Sequence, residues 1–142
     1  MPSDTDPIRP PDERTDAREQ AIMLLYEAEQ RSVSPIDLLD DRGIASEDLS
    51  LVLLRGVESS RAAIDAHIVE NSKGWALDRM PALDRAVLRL AIHELCDRPD
   101  VPTAVIIDEA VELAKRFSTD DSGRFVNGVL AAVARKVRPS GE

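Results

Sequence analysis

Apolar residues recur at the spacing of an α-helix along most of this chain, and polar residues occupy the positions between them. The clearest example runs from Val101 to Leu130, where a short polar turn joins two helical patterns. The apolar stripes are Ile106, Ala110, Leu113, Ala114 and Phe117 in the first pattern, and Phe125, Val129, Ala132 and Val133 in the second. Short oxygen-bearing side chains in the turn, residues 118–122, can cap the second helix.

The same spacing predicts further helices upstream, so the expected fold class is all-α with about seven helices. These are a first helix beginning between Asp12 and Asp16, a short one from Ser34–Pro35 to Gly43, a long one from Glu47 to Asn71 capped by Ser46, and one opening at Pro81. Gly56 lies inside the long helix, where glycine costs about 1 kcal/mol relative to alanine. Its presence predicts a close helix crossing.

Residues 1–12 contain four prolines and three aspartates, a composition that does not form a packed element. We expect a disordered tail there and a single helical domain over residues 13–138. The chain is 43% hydrophobic but only 3% aromatic, so the core of this domain should be aliphatic. No apolar run is long enough to span a bilayer and no secretory signal opens the sequence, which favours a cytoplasmic protein without a membrane anchor.

The net charge of −9 is unusual for a protein that binds nucleic acid through its phosphates. Residues 1–20 alone hold six acidic residues against three arginines. Composition by itself therefore favours a protein-interaction module. Motifs for nucleotide binding, nucleophilic catalysis and metal binding are absent, so we expect no enzyme, cofactor or metal site. The single cysteine, Cys96, excludes a disulfide framework and is expected to be a small buried or half-buried residue.

Three segments together resemble the NusB family of bacterial transcription antitermination factors. They are DEAVELAKRFSTDDSGRFVNGVL at 108–130, the stretch 75–95 and the stretch 17–26, and the resemblance covers roughly residues 14–137. It implies an all-helical fold of two small bundles packed side by side, at about 13–72 and 75–138. It also implies binding of boxA-type single-stranded RNA together with NusE, a small-subunit ribosomal protein, within an antitermination complex with RNA polymerase.

The resemblance also implies site residues. RNA would be bound by Arg14, Arg18, Tyr26, Arg124 and Phe125, and the protein partner by Asp84, Phe117 and Asp121. Simpler roles compete with these: an ordinary solvated helix start for Arg14, core packing for Phe125, a rim position for Tyr26 and a helix cap for Asp121. The charged residues Asp84, Arg85 and Arg89 would otherwise form a solvated face of their helix.

Other residues have mainly structural interpretations. We expect Trp75 to fill the junction between the bundles, with base stacking as the alternative. His93 is expected at the surface or an interface, and Gly128 where a neighbouring helix approaches.

A homodimer is among the alternatives for the oligomeric state. The alternative function is a helical protein-interaction module with little RNA affinity of its own. A similar fold stands at the front of certain ribosomal RNA cytosine methyltransferases, but we expect no methyl-transfer domain in a sequence ending at Glu142.

Overall fold

The computed structural model describes residues 13–43 and 48–140, and within them the chain is built from helices and their connections. The helices are α1 (Glu13–Arg31), α2 (Pro35–Arg42), α3 (Leu49–Ser59), α4 (Arg61–Asn71), α5 (Ala82–Asp97), α6 (Thr103–Phe117) and α7 (Asp120–Val137), with one 3-10 turn at Leu77–Arg79. The predicted all-α class is confirmed. The predicted tail at residues 1–12 and the predicted cap at Ser46 lie outside the described residues.

Local cap chemistry sets several helix ends where the sequence predicted them. The Ser34 side chain accepts a hydrogen bond from the Ile36 amide, Pro35 occupies the first turn of α2, and Gly43 ends it at φ +66°. Thr119 caps α7 by accepting from the Ser122 amide at 3.0 Å. Side-chain oxygens and a left-handed glycine therefore fix these boundaries independently of tertiary packing.

The predicted long helix over residues 47–71 is wrong, because Ser60 leaves the helical conformation at φ −120° and ψ 19°. Its amide donates to the Val57 carbonyl, which tightens the last turn of α3. The hydroxyl of the preceding Ser59 donates to the Gly56 carbonyl at 3.1 Å, a bond typical of serines that loosen a helix. Apolar spacing continues across the break, so the pattern alone could not reveal it.

Helix α5 is the central element, since it packs against α1, α3, α4, α6 and α7. Every residue from Ala86 to Leu95 is buried, including three that are polar or charged: Arg89, His93 and Glu94. The solvated charged face expected on this helix is therefore wrong. The Arg89 guanidinium is paired with Asp65 at 2.8 Å and with Glu29 at 3.1 Å, and Arg85 is also paired with Glu29.

The close crossing predicted at Gly56 is confirmed, and His93 is its cause. A Cβ atom at position 56 would overlap the His93 imidazole, which lies directly against the glycine. His93 is therefore buried rather than at the surface, with its Nδ1 3.2 Å from an Asp97 carboxylate oxygen. This contact sets the approach of α3 to α5.

Three other structural expectations are wrong. Trp75 is 54% exposed rather than filling a junction, and Cys96 is exposed rather than buried or half-buried. Gly128 is exposed, and a Cβ added there would meet nothing within 4 Å, so it marks no helix approach.

The two helical glycines give a matched test of the crossing. Gly56→Ala should destabilise the protein by about 1–3 kcal/mol through overpacking, although alanine is the better helix former. Gly128→Ala should instead stabilise it by up to about 1 kcal/mol. Urea denaturation of both variants measures this. Adding His93→Ala to Gly56→Ala should recover part of the loss, and equal effects at the two glycines would refute the crossing.

Candidate functional site

All four aromatic residues of the chain lie on one connected surface, although the core beneath it is aliphatic. The surface consists of three adjoining concavities, which we call the Tyr26 groove, the Asp84 pocket and the Trp75 groove. Pro81 borders both the Tyr26 groove and the Asp84 pocket, while Trp75 and Phe125 border both the Asp84 pocket and the Trp75 groove. The rings thus mark a continuous path across α1, α5, α6 and α7.

The Tyr26 groove lies between α1, the start of α5 and the end of α6. Its lining residues are Met23, Tyr26, Gln30, Pro81, Ala82, Leu83, Phe117 and Ser118, none of which is charged. Tyr26 and Phe117 are half-buried and pack against the edge of the core. Arg116 lies over the Phe117 ring at 4.8 Å and is paired with Glu19 on α1. The cation on that ring therefore also joins α6 to α1.

The Asp84 pocket has a volume of about 230 Å³ and is built around a buried carboxylate. Asp84 is 3% exposed, and the Ser122 hydroxyl donates to its Oδ2 at 3.1 Å. Its Oδ1 is the only buried side-chain polar atom without a hydrogen-bond partner in the described part of the chain. Burial raises the pKa of the Asp84 carboxyl above its ordinary value, and the hydrogen bond from Ser122 opposes that rise. One buried acceptor beside the pocket is therefore left without a donor.

The first turn of α7 forms the outer rim of this pocket. Asp121 is highly exposed and paired with Arg124 one turn later, and because Thr119 caps the helix, Asp121 has no capping role. An acid in the first helical turn is also favoured by the helix dipole. The half-buried Phe125 ring lies 6.2 Å from the Trp75 ring, centroid to centroid, at 56°. Both rings are thus partly accessible.

The Trp75 groove runs beside α7, next to the connection between α4 and α5. Its lining residues are Asn71, Ser72, Lys73, Trp75, Arg124, Phe125, Gly128, Val129, Ala131, Ala132 and Arg135. It contains three cations and no acid, the reverse of the Asp84 pocket, which contains Asp84 and Asp121 and no cation.

The start of α1 differs most from expectation. Arg18, anticipated as an RNA-binding surface residue, is 5% exposed and forms a bidentate pair with Glu94 at 2.8 and 2.9 Å. Its guanidinium also lies 3.6 Å from Glu109, which accepts a hydrogen bond from Thr15. Ile22, one turn after Arg18 and fully buried, was the sequence signal that this side faces inward. Arg14 is exposed on the first turn of α1.

The structure therefore brings together six of the eight anticipated site residues on the aromatic surface: Tyr26, Asp84, Phe117, Asp121, Arg124 and Phe125. Lys73, Trp75 and Arg135 lie there too, but no role on this surface was anticipated for Lys73 or Arg135. Lys73 and Trp75 lie in the connection between α4 and α5, Arg135 lies on α7, and no sequence spacing links this connection to α7.

A model of the NusB family matches residues 15–135. The chain belongs to the NusB family. A transcription antitermination protein NusB from Saccharopolyspora erythraea is 52% identical over 128 residues, covering 85% of this chain and 86% of the relative. Among solved structures, T. maritima NusB has a TM-score of 0.81 at 32% identity and covers 94% of this chain and 96% of that chain. The structure of antitermination factors NusB and NusE in complex with dsRNA has a TM-score of 0.76 at 26% identity and covers 87% of this chain and 97% of that chain.

Within residues 13–43 and 48–140, no helix is both long and apolar enough to cross a membrane. In the same residues, no three His, Cys, Asp or Glu side chains are grouped so that they could hold a metal ion. As a NusB-family member, the protein is a transcription antitermination factor.

The buried pair predicts that Arg18 matters first for folding. Arg18→Ala should cost about 3–5 kcal/mol, because it leaves the Glu94 carboxylate buried without its main partner. Arg14→Ala, a control on the exposed first turn, should change stability by less than about 0.5 kcal/mol. Replacing the pair together, with Arg18→Met and Glu94→Leu, should recover most of the loss. Thermal and urea denaturation measure all three, and a fully stable Arg18→Ala variant would contradict the assignment.

The buried carboxylate of Asp84 predicts a pH-dependent cost. Its pKa is raised in the folded state, so folding favours the protonated form, and the cost of the charge grows as pH rises from the ordinary carboxyl range through the raised pKa. Asp84→Asn should therefore increase the free energy of unfolding more at neutral pH than at mildly acidic pH. Urea denaturation at both pH values measures the difference. Asp78→Asn, at an exposed acid, is the control, and identical pH profiles for Asp84→Asn and wild type would exclude the effect.

Proposed function

We propose that this antitermination factor binds boxA-type single-stranded RNA together with NusE through the aromatic surface, within an antitermination complex with RNA polymerase in the cytoplasm. The observation that carries the proposal is the collection of all four aromatic rings on one connected surface above an aliphatic core. Single-stranded RNA is recognised by splayed bases that stack on accessible rings, next to cations that contact the backbone. The similarity to a NusB–NusE complex with dsRNA supports the pairing of an RNA with a protein partner.

The RNA side of the proposal consists of Tyr26, Arg124 and Phe125 on the aromatic surface, together with Arg14 on the exposed first turn of α1. Arg124 is largely exposed, and its ion pair with Asp121 is a surface pair of little strength that a phosphate can replace. Phe125 and Tyr26 offer half-buried rings whose positions are held by core contacts. Arg18 acts indirectly in this proposal. Its buried bond to Glu94 holds α1 on α5 and so keeps Tyr26 in position.

The protein side consists of Asp84, Phe117 and Asp121. A ribosomal protein that binds RNA carries an excess of basic residues, and the Asp84 pocket offers two acids without a cation. The unpaired Oδ1 of Asp84 would accept a hydrogen bond from a NusE donor, which would compensate the cost of burying the carboxylate. Phe117 would pack against an apolar part of the partner in the Tyr26 groove.

The net charge of −9 favours binding of RNA together with a basic partner. Long-range repulsion opposes the approach of RNA to the free protein, and each phosphate contact contributes only where a cation is available. A bound basic protein removes part of the repulsion and adds cations beside the rings. We therefore expect RNA affinity to be low for the protein alone and higher for its complex with NusE.

The second candidate is a helical protein-interaction module with little intrinsic RNA affinity. The acidic pocket and the net charge favour it, because both suit a basic protein partner without RNA. The two candidates share the NusE contact and differ in whether RNA adds to it.

The test is binding of a labelled boxA RNA by fluorescence anisotropy, with and without NusE. Phe125→Leu keeps the apolar packing and removes the stacking face, so it should weaken RNA binding by the complex about fivefold to a hundredfold while NusE still binds. Val52→Ala, at an exposed apolar residue on α3, is the matched control and should change nothing.

A duplex of the same sequence and a gel-filtration profile complete the design. Tighter binding of the single strand than of the duplex supports the proposed RNA class. Elution as a monomer or as a homodimer gives the oligomeric state that binds. NusE binding with no RNA binding under any salt condition would reject the proposal in favour of the interaction module.

A further inference from the structure

We propose that the Trp75 groove is a second RNA subsite, in which one base stacks on Trp75 and the adjoining phosphates contact Lys73 and Arg135. The inference rests on the proposed function, since it extends the RNA path from Phe125 along α7. It assigns a ligand to a surface whose residues the sequence had not linked.

Positive and negative side chains are separated between the Trp75 groove and the neighbouring Asp84 pocket. In a chain with a net charge of −9, the Trp75 groove is lined by Lys73, Arg124 and Arg135 and by no acid. Neither Lys73 nor Arg135 has an acidic partner within 4 Å among the described residues. Two further concavities mix both signs, one with Arg85 beside Glu29 and one with Lys115 beside Asp120. The groove therefore fits a polyanion better than a basic protein.

The exposed Trp75 indole is held in place by hydrogen bonds of its own turn. Ser72 is buried, and its hydroxyl lies 2.8 Å from the Trp75 carbonyl, to which it donates. The Trp75 amide in turn donates to the Ser72 carbonyl at 3.2 Å. Lys73 and Gly74 between them adopt left-handed conformations, at φ +53° and +91°. The indole is thus presented by a closed turn, which lowers the ordering cost of stacking a base on it.

Small residues on α7 leave room for a nucleotide in the Trp75 groove. The helix face toward the groove carries the small residues Gly128, Ala131 and Ala132, and a Cβ at position 128 would meet no atom within 4 Å. The concavity has a volume of about 440 Å³ and joins the Asp84 pocket at Phe125 and Trp75. Since the two rings are 6.2 Å apart, a strand stacked on Phe125 can continue onto Trp75 without leaving the surface.

The first test is the salt dependence of boxA RNA binding by the complex with NusE. Lys73→Glu with Arg135→Glu should weaken binding at least tenfold at low salt. It should also reduce the slope of log K against log salt by about 1.4, since each lost phosphate contact on a single strand contributes about 0.7. The matched control is Arg55→Glu with Arg98→Glu, which reverses two charges that do not line the groove. It should leave the slope within error. Melting temperatures verify that both variants fold.

The second test uses Trp75 itself, because it is the only tryptophan in the chain. Adding boxA RNA to the preformed complex should quench its fluorescence, and the double charge reversal should abolish that quenching at the same RNA concentration. Trp75→Ala should weaken RNA binding about fivefold to a hundredfold, whereas Trp75→Phe should retain most of it. NusE binding should be unchanged in the charge-reversal variant.

The outcomes separate this inference from the proposed function. If wild type binds RNA with NusE and Phe125→Leu weakens it, but the charge reversal and Trp75→Ala have no effect, the second subsite is refuted and the proposed function stands. If the wild-type complex binds no RNA, both are refuted. Reduced RNA affinity with an unchanged salt slope would mean that Lys73 and Arg135 do not contact phosphates, which also overturns the inference.

Discussion

Helix α5 carries charged side chains into an aliphatic core, and each of them needs a partner there. Removing a charge from water costs several kcal/mol, so the neighbouring helices have to supply opposite charges at hydrogen-bond distance. Arg18 on α1 does so for Glu94, and Asp65 on α4 with Glu29 on α1 does so for Arg89. These pairs connect α1 and α4 to the central helix. Since hydrogen bonds demand definite geometry, they also set the orientation of those helices more narrowly than apolar contacts would.

Asp84 is the exception on the same helix, and it lines the aromatic surface. Its Oδ2 accepts from Ser122, while Oδ1 has no partner within the described residues. A buried carboxylate with only one of its two oxygens hydrogen-bonded lowers the stability of the protein. Carboxylates of this kind are expected where a bound ligand supplies the missing hydrogen bond. A partner that donates a hydrogen bond to Oδ1 would therefore bind more tightly, because the free protein has already lost the free energy of burying this carboxylate.

The aliphatic core has a consequence for the surface. Leucine, isoleucine, valine and alanine fill the interior, so no aromatic ring is needed there, and all four rings are left half-buried or exposed. Each ring still touches the core at one edge or is held by a turn, which keeps it from collapsing into the protein. Charge then divides this surface, with acids around Asp84 and cations beside Trp75. The proposed binding of a basic protein and a polyanion side by side rests on this division of charge.

The amino-acid sequence was enough to predict most of the helices, several of their caps, the aliphatic core and the family, because these depend on local spacing and on short motifs. It also indicated the crossing at Gly56, since glycine destabilises the interior of a helix and is expected where a neighbouring helix comes close. Which charged residues are buried became clear only from the packing of the helices. Periodicity shows which face of a helix turns inward, but not which distant residue will neutralise a charge on that face. For that reason Arg18 and Arg89 looked solvated, although Glu94 and Asp65 pair with them in the interior. The break at Ser60 and the exposure of Trp75 also escaped the apolar pattern, because local hydrogen bonds of Ser59, Ser60 and Ser72 set the turn at each place.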